Sequence, residues 1–402
     1  MMHMNKYESF LKQAAKLADL LENQKDNLIA MLGEYEPYDT ASDEIERSIT
    51  ALRGVNVEFS NLSSKVDDLS ICTFMPLNLP LYSLVLFAII PGAFSEKVYV
   101  RFPEIMRDIT KIISETLDIT SLFPAIKIKN SSRATFIELY AKTADVILFT
   151  GKYKNALIVQ EQCPNALFIF NGGGVNPVVV CEDADVDLAT NKVFEMRTFN
   201  SGQDCAGSDA IFVHSNIADE FIKGIEQKIS SVKVGSYGDP SVDVGPILKR
   251  EYVEQITGYL ASESQNVRLL GKVDIEKSIV HPTVLVKNIN EHTGGFHEFF
   301  APIFYILVFE HDHEVTQQLI TREISDYSMY LSYFSSQDRF SHITSVKLLK
   351  NSIVNDVEQG NKEYGGYGSK ANFVAFGKDR ICRPILISRE IDNFYLEEKI
   401  TN

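Results

Sequence analysis

Phe199-Asn200-Ser201-Gly202-Gln203-Asp204-Cys205-Ala206-Gly207-Ser208 and, upstream of it, Asn171-Gly172-Gly173-Gly174-Val175-Asn176-Pro177 are the two stretches on which the reading of this chain turns. A cysteine thiol is a few per cent thiolate at pH 7 and strongly nucleophilic, more so if its pKa is lowered. Cys205 stands between Gly202 and Gly207, where backbone can approach a substrate closely. The competing reading is a small buried hydrophobe, the usual state of a free cysteine. That second reading is the one given to Cys72, Cys163, Cys181 and Cys382. At Asn171 the side chain is an amide, which takes no proton from water at neutral pH.

On either side of these stretches, short β-branched runs alternate with helical ones. Residues 98–100, 146–149 and 166–170 read as strands, with a helix over 105–117. A second series opens at Val178-Val179-Val180 and continues with a helix over 186–199, a strand over 210–214, and helices over 217–232 and 251–262. Strands alternating with helices imply βαβ units and parallel sheets with right-handed crossovers. The fold class expected is therefore α/β, as two doubly wound domains that meet near residue 172. The first 53 residues are helical in pattern, with Leu11, Ala14, Leu17, Leu20 and Leu21 at helical spacing. Residues 79–94 form the most apolar stretch; interrupted by Pro80 and Pro91, it reads as a buried helix and not a membrane span.

The chain has 402 residues, 45% hydrophobic and 23% charged, enough for a large core and two domains. Its net charge of −15 argues against a nucleic-acid or membrane-surface partner. Residues 1–10 are polar and no apolar run follows, so a cytoplasmic location with reduced thiols is expected. No Cys-x-x-Cys pair or Cys/His cluster suggests a metal, and His311-Asp312-His313 reads as surface loop.

Six further segments, in order from Pro76 to Gly368, point the same way. They are Met75-Pro76-Leu77-Asn78-Leu79-Pro80, Arg101-Phe102-Pro103-Glu104, Phe149-Thr150-Gly151, Cys181-Glu182-Asp183-Ala184-Asp185, Glu298-Phe299-Phe300-Ala301-Pro302 and Tyr364-Gly365-Gly366-Tyr367-Gly368. Together with the two opening stretches they resemble the motifs of the aldehyde dehydrogenase superfamily. The resemblance implies a cofactor domain over 1–172, to which residues 356–402 return, and a catalytic domain over 173–355 carrying Cys205. It implies that Cys205 attacks the substrate and that the Asn78 amide, with the Cys205 N–H, holds an oxyanion; one such donor is typically worth ~3 kcal/mol. It places Arg101, Glu104, Gly151, Lys152, Gly173, Glu298 and Phe300 on the cofactor, NAD or NADP. NAD is favoured, because Glu104 would accept from the ribose hydroxyls and repel a 2′-phosphate. The family's common dimers and tetramers leave a homo-oligomer open. Residues 55–72 read as short for the usual oligomerising hairpin. Residues 385–395, opening Ile385-Leu386-Ile387-Ser388, read as an edge strand for the chain's own sheet or a partner's.

The departures carry as much information. Lys152 stands where the family has the serine of its phosphate turn, Ala156 where it has the second glycine, and Arg101 where it has lysine. Asn171 takes the place of the glutamate that activates water in hydrolytic members. The resemblance thus implies an NAD(P)-dependent oxidoreductase on an aldehyde or acyl thioester, working through a thioacyl Cys205. The acyl partner is then a thiol such as coenzyme A, which enters with less help from a base than water needs. Slow hydrolysis with water oriented by other groups, and a catalytically impaired homologue with a binding or scaffold role, are the alternatives.

Overall fold

This computed structural model describes residues 2–60, 62 and 68–401. The chain opens with three helices, Met2–Asn23, Lys25–Leu32 and Tyr38–Ser60. Ile45, Ile49, Leu52 and Val55 recur at helical spacing on the buried face of the third, which carries the helix through to Ser60. Residues 55–60 are therefore helix and not the start of a strand region; residues 61 and 63–67 of that stretch lie outside the described residues.

The strands, in chain order, are β1 Leu69–Phe74, β2 Ser95–Arg101, β3 Ile126–Ile128, β4 Val146–Thr150, β5 Leu167–Asn171, β6 Asn176–Val180, β7 Ser208–His214, β8 Val267–Leu269, β9 Val273–Asp274, β10 Ile279–Val280, β11 Thr283–Asn288, β12 Ile303–Phe309, β13 Tyr330–Phe334, β14 Lys347–Lys350, β15 Asn372–Phe376 and β16 Asp379–Ile381. Two sheets result. The first has the order β16-β15-β5-β4-β1-β2-β3 and the second β14-β13-β6-β7-β12-β11-β8. The first is parallel from β5 to β3 and the second from β14 to β11, with β15, β16 and β8 antiparallel at the margins.

Parallel strands are covered on both faces, and the side chains show it. Ile71, Leu148 and Ile169 face the N-terminal helices, while their neighbours Phe149, Phe168 and Phe170 join Phe136 and Phe373 in an aromatic core on the other face. Burial of each such side chain stabilises the fold by about 1.5–3 kcal/mol. The apolar stretch 79–94 is helical and buried, but in three pieces: α-helix Pro80–Leu84, a π-turn Val85–Ile89 and 3-10 turn Pro91–Phe94. Pro91, which lacks an N–H, marks the last break.

Three features place the site. In the first sheet the strand order reverses between β1 and β4, so the loops after them, carrying Asn78 and Gly151, flank a crevice at the carboxyl edge. The short link 172–175 passes directly from β5 into β6. The loop before β7 carries Cys205 at the amino edge of the second sheet, opposite that crevice. At the C-terminus, Ile385 bridges to Tyr364 and Ile387–Thr401 is a helix, so β15 and β16 cover the sheet margin instead of residues 385–388. The spacing of Ile387 and Ile391, the latter fully buried, favours the helix.

Candidate active site

Residues 200–202 pass through three successive left-handed conformations, Asn200 (φ 48°), Ser201 (φ 58°) and Gly202 (φ 76°). Only glycine fits the last, since a Cβ on Gly202 would lie 2.3 Å from the carbonyl carbon of Ala301. Gln203 anchors the turn. Its Oε1 accepts from the Leu248 N–H at 2.8 Å and its Nε2 donates to the Pro246 carbonyl at 3.3 Å. Beneath the loop lies the fully buried Arg197, donating to the carbonyl of Gly202 and, through Nη1, to the carbonyl of Ser208 and to Asp209, each at 2.8 Å. Asp209 in turn accepts from the Phe299 N–H at 2.9 Å. Burial pushes the Asp209 carboxyl up to about 6, against the pull of Arg197.

Two asparagines hold the cysteine itself. Asn176 Nδ2 donates to the Cys205 carbonyl at 2.9 Å, and Asn176 Oδ1 accepts from the N–H groups of Met329 and Tyr330 at 3.0 and 3.2 Å. Asn78 Nδ2 donates to the Gln203 carbonyl at 3.1 Å, leaving the amide's second N–H for a ligand. The Cys205 Sγ is 3.4 Å from the Tyr364 hydroxyl. Burial, then the charge of Asp204, pushes the thiol well above its ordinary value, and the Tyr364 hydrogen bond works the other way. Burial also raises Tyr364 itself, so its hydroxyl remains a donor.

Two cavities meet at the thiol. Cys205, Asn78, Pro76, Phe149 and Thr150 line both. One is a cleft of about 1300 Å³ on which Arg101, Glu104, Gly151, Lys152, Gly173, Glu298 and Phe300 all open. The other, of about 120 Å³, runs toward the N-terminal helices and includes Asn171. Asn171 ends β5 beside Thr150 and Asn372, and its buried Oδ1 has no hydrogen-bond partner.

Within the larger cleft, Gly151 has φ 143°, a conformation that favours glycine, and Lys152 precedes the helix Tyr153–Gln162 without a side-chain capping bond. Lys152 Nζ sits 4.5 Å from the centre of the Tyr252 ring. Ala156 is buried in the aromatic core and does not open on the cleft, so alanine there is a packing residue. At the far end Arg101 Nε donates to the Ser131 carbonyl at 3.2 Å, as does Arg107 Nη2 at 3.1 Å, and Arg133 lines the wall. Burial, then Arg107 and Arg133, lowers the Arg101 pKa. Glu298 reaches the cleft's solvent on one side and is hemmed by protein on the others. A Cβ on Gly173 would lie 2.3 Å from Glu298 Oε1 and 3.2 Å from Cys205 Cβ, so a side chain there would displace the Glu298 carboxylate from its place beside the cysteine. Desolvation, then Asp209, pushes the Glu298 carboxyl up to about 8, an effect that cleft water partly offsets.

The sequence reading gave no role to Tyr364, Asn176, Arg197 or Arg133. Arg197 leaves a signal, an arginine directly after the apolar face of Val193 and Met196. Tyr364 opens one of the quoted segments, but nothing in that segment points to the thiol it touches, 159 positions away. The described residues hold no His/Cys/Asp/Glu group arranged for a metal ion, and no helix among them is long and apolar enough to cross a membrane.

The model of the aldehyde dehydrogenase family matches residues 134–339. Among curated proteins, the chain is 29% identical over 217 residues to the alpha-aminoadipic semialdehyde dehydrogenase of Bos taurus, covering 52% of this chain and 40% of that protein. It is 28% identical over 178 residues to a probable NADP(+) succinate-semialdehyde dehydrogenase of Sinorhizobium fredii, covering 42% of this chain and 36% of that one. The matched part thus spans well under half the length of these relatives. Among solved structures, the glyceraldehyde-3-phosphate dehydrogenase GapN of Methanocaldococcus jannaschii complexed with NADP superimposes with a TM-score of 0.78 at 20% identity, over 91% of this chain and 85% of that one. With the matched model spanning half of its residues, the chain belongs to the aldehyde dehydrogenase family.

Proposed function

We propose that this chain is a nicotinamide-dinucleotide-dependent oxidoreductase that handles an aldehyde or acyl thioester as a thioacyl Cys205, with a thiol such as coenzyme A as acyl partner. The observation that carries the reading is a cysteine at the meeting point of two cavities, beside an amide donor at Asn78 and with an amide, not a carboxylate, at position 171. The donor set of the larger cleft fits a dinucleotide. Backbone N–H groups at the start of the helix Tyr153–Gln162 suit a pyrophosphate, and Glu298 and Phe300 would hold the nicotinamide end. When bound, such a cofactor supplies the acceptor for the substrate's hydride. Glu104, from which NAD was expected, has a side chain 88% exposed. Arg101 and Arg133 line the same end. That arrangement favours NADP, because guanidiniums suit a 2′-phosphate.

In the attack, the Cys205 thiolate forms a C–S bond to the aldehyde carbon and the carbonyl π pair moves to oxygen. Asn78 and the Cys205 N–H receive that oxyanion. In acyl release, an incoming thiolate forms the new C–S bond and Cys205 departs as thiolate, which the Tyr364 hydroxyl stabilises. Asn171 takes no part as a base. The test is dinucleotide-linked turnover of an aldehyde with coenzyme A, or of an acyl-CoA in reverse, in wild type and Cys205→Ala. Full turnover by Cys205→Ala would refute the mechanism.

One observation favours the second reading, an impaired homologue with a binding role: burial and Asp204 both raise the Cys205 thiol. Iodoacetamide separates the two. A working nucleophile is alkylated before Cys72, Cys163, Cys181 and Cys382, and a relic is not.

A further inference from the structure

We infer that the smaller cavity selects short, uncharged aliphatic aldehydes and turns away those with a carboxylate, because Glu358 and Asp43 already occupy Arg47, the partly buried cation on its wall. The inference rests on Cys205 being the nucleophile at the cavity's inner end. The walls are largely apolar, from Leu79, Leu86, Phe87, Val354, Ile385 and Ile387. Among the described residues, the charged groups lining it are Arg47, Glu58, Asp204, Glu358 and Lys362. Each is accounted for.

Arg47 Nε lies 2.6 Å from Asp43 Oδ2, and its Nη1 pairs with Glu358. The other Glu358 oxygen accepts from the Tyr82 hydroxyl at 2.6 Å. The guanidinium face rests over the Phe199 ring, 5.6 Å from its centre. With Nε and Nη1 each paired to a carboxylate and its face over Phe199, Arg47 is already neutralised by two anions and offers a substrate carboxylate only Nη2. A carboxylate entering would instead meet the Glu358 carboxylate. Lys362 is exposed at the mouth, where water screens it.

A cationic substrate finds no better partner. Glu58 is buried and bound by Asn361 Nδ2 at 2.8 Å, and burial pushes both Glu58 and Asp204 upward, toward their neutral forms. Size supplies the rest. At about 120 Å³ the cavity is somewhat smaller than one of about 150 Å³ that accepts benzene, which suits a chain of about four or five carbons.

The experiment measures kcat/KM for propanal, butanal, pentanal, octanal, succinic semialdehyde and betaine aldehyde. Wild type is expected to gain roughly threefold per methylene up to pentanal and to fall at octanal. Butanal should exceed succinic semialdehyde by about 100-fold, since an unpaired carboxylate in an apolar site is heavily penalised. Glu358→Gln keeps the bond from Tyr82 and frees Arg47, and should narrow that gap about tenfold. Succinic semialdehyde or betaine aldehyde matching butanal in wild type would overturn the inference. If no aldehyde is turned over, the proposed function has failed, and thermal shift with butyramide and succinamate then reads the cavity alone. Stabilisation by butyramide and not succinamate supports the inference; the reverse overturns it.

Discussion

The Tyr364 hydroxyl, 3.4 Å from the Cys205 sulfur, is the donor closest to the chemistry that does not come from the thiol's own loop or from Asn78. No cation among its hydrogen-bond partners lowers the thiol, so this bond is the main local support for a thiolate. Hydrogen bonds to charged groups contribute about 1.5–3 kcal/mol, so Tyr364→Phe should slow iodoacetamide alkylation of Cys205 at pH 7 about tenfold or more. The pH profile of alkylation should move upward, which loss of packing alone would not cause. At position 171 the opposite experiment applies. Asn171→Glu places a base beside the same cavity and should create or raise hydrolysis of the thioacyl enzyme by about 100-fold, the scale of one general base. Release of free acid in place of the coenzyme A thioester is the readout. An unchanged ratio of acid to thioester would mean that residue 171 does not face the acyl group.

At the scale of elements, the cysteine loop is held in an unusual shape by what surrounds it. Arg197 satisfies the carbonyls of Gly202 and Ser208 and neutralises Asp209, which in turn fixes the backbone next to Glu298. A single buried ion pair therefore ties the nucleophile loop to the turn that precedes β12. Removing one partner of such a pair leaves an uncompensated charge, and Arg197→Ala should cost about 3–5 kcal/mol. Chemical denaturation measures it. Arg197→Lys should recover only part, because an ammonium cannot reproduce the guanidinium fork. Gly202→Ala should also destabilise, by about 1–3 kcal/mol, through the left-handed φ and the close approach of Ala301.

Across the whole molecule, the N-terminal helices meet the rest of the chain through buried carboxyls. Glu36 and Glu44 are nearly free of solvent, and burial raises both, Glu44 to about 7. A carboxyl raised on folding binds its proton more tightly in the native state. Its contribution to stability is complete below pH 4.5 and is lost as pH rises through about 7. The melting temperature should therefore fall between pH 5 and 8, by an amount equivalent to about 3 kcal/mol from Glu44 alone. Glu44→Gln should flatten that slope. A stability that rises over this range would show that the pair ionises without penalty.

The sequence by itself determined the class of fold and the family. The short β-branched runs at Val98–Val100 and Val178–Val180 and the helical spacing from Leu11 to Leu21 are local, so backbone geometry alone ties them to strands and helices. Residues 55–60, expected in a strand region from the resemblance, and the short apolar run from Ile385, which fits either period, are helical from Val55 to Ser60 and from Ile387 because packing against the core chose the helix. Cys205, Asn78 and the seven cleft residues were nameable from motifs, and the chain does gather them around two cavities. Tertiary structure alone decided that Tyr364 touches the thiol and that Glu358 neutralises Arg47 across 311 positions. Such pairs have no sequence period, because they are set by how two sheets and a helical layer pack together, which no local pattern encodes.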